Sequence, residues 1–152
     1  MDQIPWRRKW DRMHDTSPAS RFVDAINSQN TDLLREVLTP DFVFEEAAGP
    51  GERSIEALLQ ELRIVFEAFP DLMFRPIRET IEGGRTYLEF KGIGTHRGEF
   101  LQVPPTGTTA FMSGVFNLED AGERICRLRM TVDFGGLRRQ LLLAARMRNA
   151  AR

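Results

Sequence analysis

The fold is decided by the stretch YLEFKGIGTH, residues 87–96, in which apolar and small residues recur at every second position. Successive side chains of a strand point to opposite faces, so one face of this strand carries Leu88, Phe90, Gly92, Gly94 and His96. Extended stretches are predicted at 72–81, 85–100, 108–118 and 124–133, with glycine-rich turns between them. The second half of the chain therefore predicts four antiparallel strands.

The first half of the chain has the longer period of helices. An amphipathic helix is predicted from Pro18, a second short helix is capped by Thr31, and a longer helix follows the N-cap Ser54. A first strand is predicted around residues 42–45, and a last helix over 137–147. Helices, one strand, a long helix and then hairpins predict an α+β fold, a curved sheet with helices on its concave face.

Composition limits the classes of protein to which the chain can belong. Its 152 residues, 41% of them hydrophobic, suit one domain over 18–152, preceded by an N-terminal extension over 1–17 that carries Trp6 and Trp10. The net charge of -1 gives no bulk attraction to nucleic acid or to an anionic membrane. With one cysteine, no secretory signal and no apolar run of membrane-spanning length, we expect a cytoplasmic protein.

His96 is the first candidate for chemistry, because it points the same way as the apolar residues of its strand. An imidazole there can carry a proton or donate a hydrogen bond to a substrate carbonyl. The alternative is a histidine tied to a neighbouring backbone group or carboxylate. Strand alternation does not choose between the two.

Asp133 and Arg129 are the second candidates. Alternation places Ile125, Arg127, Arg129, Thr131 and Asp133 on one face of the last strand. If this face lines a cavity, Asp133 is a general base and Arg129 stabilises its charge. If the face is solvated, Asp133 is a surface carboxylate or the cap of the last helix.

Other polar or reactive residues carry weaker signals. Glu45 and Glu46 face opposite sides of the first strand, so only one can reach a pocket, and we interpret both as solvated. Cys126 is interpreted as a small buried hydrophobe. The sequence has no phosphate-binding glycine loop and no HExxH zinc motif.

Four blocks of sequence, taken together, resemble the SnoaL-like polyketide cyclases. They occur in family order, and the likeness runs from Phe22 to Leu141. The blocks are Phe69-Pro70-Asp71-Leu72, then Gly94-Thr95-His96-Arg97-Gly98-Glu99-Phe100, then Pro104-Pro105-Thr106-Gly107, and Asp133 followed by Gly136-Leu137 and Gln140-Leu141.

The resemblance implies a cone-shaped barrel like that of nuclear transport factor 2, a homodimer or higher oligomer, and no metal or organic cofactor. It also implies a cyclase of antibiotic or other polyketide biosynthesis, a lyase or isomerase that closes a ring by intramolecular aldol addition. Asp133 matches the family's acid/base aspartate and His96 its histidine, while Arg129 would help to polarise a carbonyl. Side chains expected to hold a bulky hydrophobic substrate are Phe44, Phe66, Phe90, Met112, Phe116 and Asn117.

The chain departs from the family pattern at several positions. Arg129 replaces a usual Trp, Arg127 an acid, Asn117 an Arg, and Phe44 and Glu45 stand where a His or Asp is usual. We interpret these departures as a change in pocket polarity. Two alternative functions therefore stay open, an epoxide hydrolase-like enzyme and a non-catalytic small-molecule-binding or interaction domain.

Overall fold

A computed structural model describes residues 17–47 and 49–151. The predicted N-terminal extension with Trp6 and Trp10 lies outside these residues. The helices are α1 (Pro18–Asn27), α2 (Thr31–Val37), α3 (Ile55–Ala68) and α4 (Phe134–Ala150). The strands are β1 (Leu38–Glu46), β2 (Met73–Glu82), β3 (Arg85–Thr95), β4 (Thr109–Ala121) and β5 (Arg124–Val132).

The five strands form one mixed sheet in the order β1-β5-β4-β3-β2. The β2–β3, β3–β4 and β4–β5 pairs are antiparallel, as the alternation predicts, and β1 runs parallel to β5. The helices α1, α2 and α3 cover the inner face of this curved sheet. The prediction of an α+β cone fold is confirmed.

Phenylalanines fill the inside of the cone. Phe90 on β3 and Phe116 on β4 stack with ring centroids 4.2 Å apart, and Phe22 of α1 meets Phe116 edge-on at 5.6 Å. Phe74 of β2 closes the cluster, 5.3 Å from Phe90. All four rings are buried, and each contributes about 1.5–3 kcal/mol through removal of apolar surface from water. The alternation of β3 thus predicts the core correctly.

Two side-chain amides fasten helices to the sheet backbone. Asn27 of α1 accepts from the Phe74 N–H at 2.8 Å and donates to the Phe74 carbonyl at 3.0 Å. Gln140 of α4 does the same with Phe111 of β4, at 2.9 and 2.8 Å. Each amide satisfies a backbone donor and acceptor that no neighbouring strand reaches.

Several predicted boundaries are wrong for local reasons. β3 ends at Thr95, and the residues up to Phe100 belong to a loop that turns back on His96. Asn30 caps α2 in place of Thr31, because its side chain accepts from the Leu33 N–H at 3.0 Å. The last helix begins at Phe134, three residues before the predicted start.

The predicted face of β5 is also wrong at its beginning. The register between β4 and β5 shifts between Glu119 and Asp120, so Ile125 turns inward and is buried while Arg127 and Arg129 point outward. A bulge adds one residue and therefore reverses the alternation.

Candidate functional site

His96 is 0% exposed. It lies at the centre of a cluster that we call the joint, made of Phe69, Asp71, Thr95, His96, Thr106 and Gly107. Its Nδ1 accepts from the Thr106 N–H at 3.3 Å and lies 2.9 Å from Thr106 Oγ1, and its ring stacks on Phe69 with centroids 5.4 Å apart. Burial lowers the pKa of His96, partly offset by the backbone of Gly98 and Val103. The ring is therefore neutral at neutral pH and is tied to Thr106 through Nδ1, while a catalytic role of His96 stays a prediction.

Asp133 caps helix α4. Its Oδ1 accepts from the Gly136 N–H at 2.8 Å, and the side chain is exposed. A β-carbon on Gly136 would lie 2.3 Å from Asp133 Oδ2, so the cap requires glycine at that position. The capping alternative is confirmed; the catalytic role of Asp133 stays a prediction.

Arg129 is exposed on the outer face of the sheet, away from the helices. It belongs to an outer charged cluster, defined as Glu45, Arg85, Asn117, Glu119, Arg127 and Arg129. Arg127 lies at its centre, 2.9 Å from Glu52 and 3.6 Å from Glu45, and the Glu52 hydrogen bond raises the Arg127 pKa. The sheet separates this cluster from the inside of the cone.

The structure does not bring Asp133, His96 and Arg129 together. Along the β4 backbone, His96 is bonded to Thr108, Asp133 to Ser113, and Arg129 is opposite Asn117. At about 3.3 Å per residue, these levels are roughly 17 and 13 Å apart. The three side chains cannot act on one atom.

The residues predicted to hold substrate also lie in different parts of the structure. Phe44, Phe90, Met112 and Phe116 are buried in the core. Asn117 belongs to the outer charged cluster, and Phe66 lies in a groove between helices. The departures at Glu45, Asn117, Arg127 and Arg129 therefore lie on the outer face, and the interpretation that the departures change the polarity of a substrate pocket stays a prediction.

The family-like blocks instead build the joint around His96. Phe69 stacks on His96, and Asp71 accepts from the Thr95 N–H and hydroxyl at 2.7 Å each, which lowers the Asp71 pKa. The Gly107 N–H donates to the His96 carbonyl at 2.8 Å. Helix α4 is held against the sheet by buried Leu137 and Leu141 and by the Gln140 side chain. Each block thus has a structural role in this chain.

Several cavities among the described residues have the volume of an organic ligand site. The helix groove, of about 520 Å³, lies between α1, α2 and α3 and includes Ile26, Leu34, Leu59 and Phe66. Glu56 at its edge pairs with Arg35, which does not line the groove, and the two side chains are widely exposed at 70% and 47%. An exposed pair of this kind has little energetic or chemical effect.

The mouth pocket, of about 400 Å³, lies where β1, α3, α4 and the loop after β3 meet. It is lined by Glu46, Glu61, Ile64, Glu99, Phe100, Leu101, Gln102 and Phe134. Asp133 precedes Phe134 without lining the pocket itself. Among the described residues that line it, three are acidic and none is basic.

Two of the acidic residues that line the mouth pocket, Glu46 and Glu61, are bridged by Arg53, which does not itself line the pocket. Arg53 contacts Glu46 at 2.9 Å and Glu61 at 3.3 Å, and its guanidinium lies 4.6 Å from the centre of the Phe44 ring. The side chains of Arg53, Glu46 and Glu61 are only 25%, 25% and 35% exposed. The set is the least exposed group of opposite charges among the described residues.

The opposite wall contains a strained turn. Leu101 and Gln102 both have positive φ, 51° and 65°, between Phe100 and Val103, which exchange two backbone hydrogen bonds. Glycine or asparagine is the usual residue for this conformation, and each non-glycine residue there costs of order 1–3 kcal/mol. Arg138 of α4 donates to the Leu101 carbonyl at 3.1 Å. Strain of this kind is concentrated at functional sites.

Sequence reasoning missed Arg53 and Glu61, and it interpreted Glu46 as solvated. The prediction that Glu45 and Glu46 face opposite sides is confirmed, since Glu45 lies in the outer charged cluster and Glu46 in the mouth pocket. The alternation of Phe42, Phe44 and Glu46 was a signal that placed Glu46 inward.

Neither a metal cluster nor a membrane helix is found in the part of the chain that the structure describes. No three His, Cys, Asp or Glu side chains within 17–47 and 49–151 are grouped to hold a metal ion. None of the helices α1 to α4 is long and apolar enough to cross a bilayer.

Comparisons with known proteins match the chain to one family. The model of the SnoaL-like polyketide cyclases matches residues 18–141, whereas no curated protein matches. IdmH from Streptomyces antibioticus, a proposed polyketide cyclase, is 26% identical, with a TM-score of 0.74 over 82% of this chain and 95% of its own. AclR from Streptomyces galilaeus, a proposed hydroxylase, has the same TM-score at 23% identity, over 82% and 92%, and shows likeness of fold alone.

A third similar structure is a proposed SnoaL-like polyketide cyclase from Jannaschia sp. CCS1. It is 26% identical, with a TM-score of 0.68 over 77% of this chain and 83% of its own. The family model covers most of the chain, including all four blocks and the residues that build the joint around His96. This chain belongs to the SnoaL-like polyketide cyclase family.

Proposed function

We propose that this protein is a cofactor-independent acid/base enzyme that closes a ring in a hydrophobic polyketide, and that the reaction takes place in the mouth pocket. The supporting observation is that Glu46 and Glu61, partly buried and bridged by Arg53, line a pocket whose other walls include Phe100 and Phe134. A carboxylate held beside the reacting carbon of a substrate can act as a general acid or base.

The proposed reaction is an intramolecular aldol addition. A carboxylate removes a proton from a carbon between two carbonyls, and the enolate carbon forms a bond to a ketone carbon of the same chain. The ketone oxygen becomes an alkoxide, which takes the proton back from the carboxylic acid. Holding the two reacting carbons together in the pocket lowers the barrier by several kcal/mol.

The charge of the pocket defines the substrate class. Glu46, Glu61 and Glu99 line it with three carboxylates, of which Arg53 compensates one charge. A substrate with a free carboxylate would place another negative charge beside them, which is unfavourable in partly buried surroundings. The substrate we propose is therefore a neutral polyketide, for example an ester.

Blocking the mouth pocket tests this function. Ile64 lines the pocket from α3 and is 43% exposed, so a larger ring there fills the cavity without disturbing the core. We expect Ile64→Trp to lower ring closure of a linear polyketide methyl ester panel at least about tenfold, followed by chromatography and mass spectrometry. The matched control is Leu143→Trp on the exposed side of α4, which should leave the rate unchanged. Equal rates of ring closure in both variants would show that the reaction does not take place in this pocket.

The same panel tests whether the substrate is neutral. Each methyl ester is compared with its free acid at neutral pH, and we expect kcat/KM for the ester to exceed that for the acid by about tenfold or more. Glu99→Gln removes one carboxylate from the pocket and should narrow this difference by raising kcat/KM for the free acid. A preference for the acid would contradict a neutral substrate.

Epoxide opening is the second candidate, because Glu46, Arg53 and Glu61 place two carboxylates on either side of one guanidinium. One carboxylate would take a proton from water, whose oxygen attacks an epoxide carbon. The carbon–oxygen bond breaks, and the second group, as a carboxylic acid, protonates the leaving alkoxide to give a diol. Formation of an 18O-labelled diol in labelled water, with no ring closure, would favour this function. Ligand binding without either product would favour a non-catalytic binding domain.

A further inference from the structure

We propose that Glu46, and not Asp133, is the catalytic base of the mouth pocket, with Arg53 and Glu61 as positioning residues. The inference rests on the proposed function, and it names the group that removes the proton.

The backbone of β1 directs Glu46 inward. Phe42, Phe44 and Glu46 share the face toward the helices, and both phenylalanines are buried. Glu45 between them points to the outer charged cluster, 3.6 Å from Arg127. Adjacent residues of the same chemical type therefore lie on opposite sides of the sheet, and only Glu46 contacts the pocket.

Arg53 fixes the position of the Glu46 carboxylate. The backbones of Arg53 and Phe44 exchange two hydrogen bonds, at 2.7 and 2.8 Å, and the guanidinium lies over the Phe44 ring. Its Nη2 donates to Glu46 Oε1 at 2.9 Å, while its Nη1 donates to Glu61 Oε1 at 3.3 Å. Because Arg53 is itself held by Phe44 and Glu61, the carboxylate that it contacts loses little freedom when substrate binds.

The second oxygen of Glu46 is then available for the reaction. Oε1 is occupied by Arg53, and no hydrogen bond to Oε2 is formed by the described residues. Oε2 takes the proton from the carbon between the two carbonyls, and the C–H electron pair passes into the enolate. After the carbon–carbon bond has formed, Oε2 returns that proton to the alkoxide, so no oxidant, reductant or water is consumed.

Asp133 is placed differently. It is exposed, its Oδ1 accepts from the Gly136 N–H, and it is not among the side chains that line the pocket. Moving it into the pocket would break the cap of α4, at a cost of about 0.5–2 kcal/mol.

The experiment compares Glu46→Gln with Glu45→Gln and Asp133→Asn on the polyketide ester panel. Glutamine keeps the size of the side chain and an acceptor for Arg53, so we expect Glu46→Gln to stay folded and to lose at least about a hundredfold in kcat. Glu45→Gln makes the same change one residue away on the outer face, and should stay within about twofold of wild type. Asp133→Asn should melt earlier but keep most of its kcat.

Chemical rescue separates a reacting carboxylate from a structural one. Glu46→Ala leaves space beside Arg53, and formate added to this variant should restore part of the lost rate. A full rate in Glu46→Gln, or loss in Asp133→Asn with Glu46→Gln active, would overturn the proposal and leave the cyclase function standing. No turnover by wild type on any ester would instead refute the proposed function itself.

Discussion

Replacing Gly114 by alanine is expected to lower the free energy of unfolding by at least about 3 kcal/mol, because the new methyl group has no space. A β-carbon there would lie 2.3 Å from the Thr131 carbonyl oxygen and 2.8 Å from Cζ of Phe90. The first contact is with backbone, so it is relieved only by moving β4 away from β5. The second is with a ring stacked on Phe116 in the centre of the core.

The matched control is Gly135→Ala. A β-carbon on Gly135 meets only Arg139 Nη1 and Asp133 Oδ1, at 3.6 and 3.7 Å, which are ordinary contacts. Since alanine restricts the unfolded chain, Gly135→Ala should be neutral or stabilising by up to about 1 kcal/mol. Thermal and urea unfolding of both variants test the pair, and Gly114→Ala should melt roughly 10 °C below wild type. Equal melting temperatures would mean that β4 and β5 are not packed as described.

The sheet could be predicted from the sequence because alternation is a local signal. Leu88, Phe90 and His96 alternate over ten residues without a bulge, and all three are buried as expected. The same reasoning failed at Ile125, because the bulge at Glu119 and Asp120 depends on how two strands meet. The alternation of side chains therefore predicts which face a residue takes only as far as the strand register is unbroken.

The candidate site was harder to predict, because it is made by tertiary contacts. Arg53 follows a turn, Glu61 lies on α3 and Glu46 ends β1, and nothing in their spacing along the chain brings them to one point. The family-like blocks drew attention to His96 and Asp133, which build the joint and cap the last helix. Their structural roles explain why likeness in these blocks fixes the fold more firmly than the reaction.

Four of the departures from the family pattern lie close together in the structure. Glu45, Asn117, Arg127 and Arg129 lie together in the outer charged cluster. A change of four neighbouring positions alters the surface that the sheet presents to other molecules. Because Glu45 lies in this cluster and Glu46 lines the mouth pocket, variants at these two positions test the two surfaces separately.

His96→Gln is expected to destabilise the protein by about 3 kcal/mol at neutral pH and to change how stability depends on pH. The substitution removes the ring stacked on Phe69 and disturbs the hydrogen bonds from Thr106 that close the loop. Because the loop carries Phe100 and Leu101 of the mouth pocket, the variant should also lose ligand affinity. Unfolding in urea measures the first effect, and titration with a polyketide ester measures the second.

The pH dependence follows from the direction of the pKa shift. Burial lowers the pKa of His96 in the folded protein, whereas the unfolded chain takes up this proton near pH 6.5. The stability from neutral His96 is therefore fully present above about pH 6.5 and is lost as pH falls toward the folded pKa, with a limiting slope of about 1.4 kcal/mol per pH unit. Asp71, Glu79 and Asp120 also have shifted pKa values, but wild type and variant share them. The difference between wild type and His96→Gln in unfolding free energy should shrink between about pH 7.5 and about pH 5.5. A constant difference over that range would mean that His96 accepts its proton in the folded state, and that the joint is open to water.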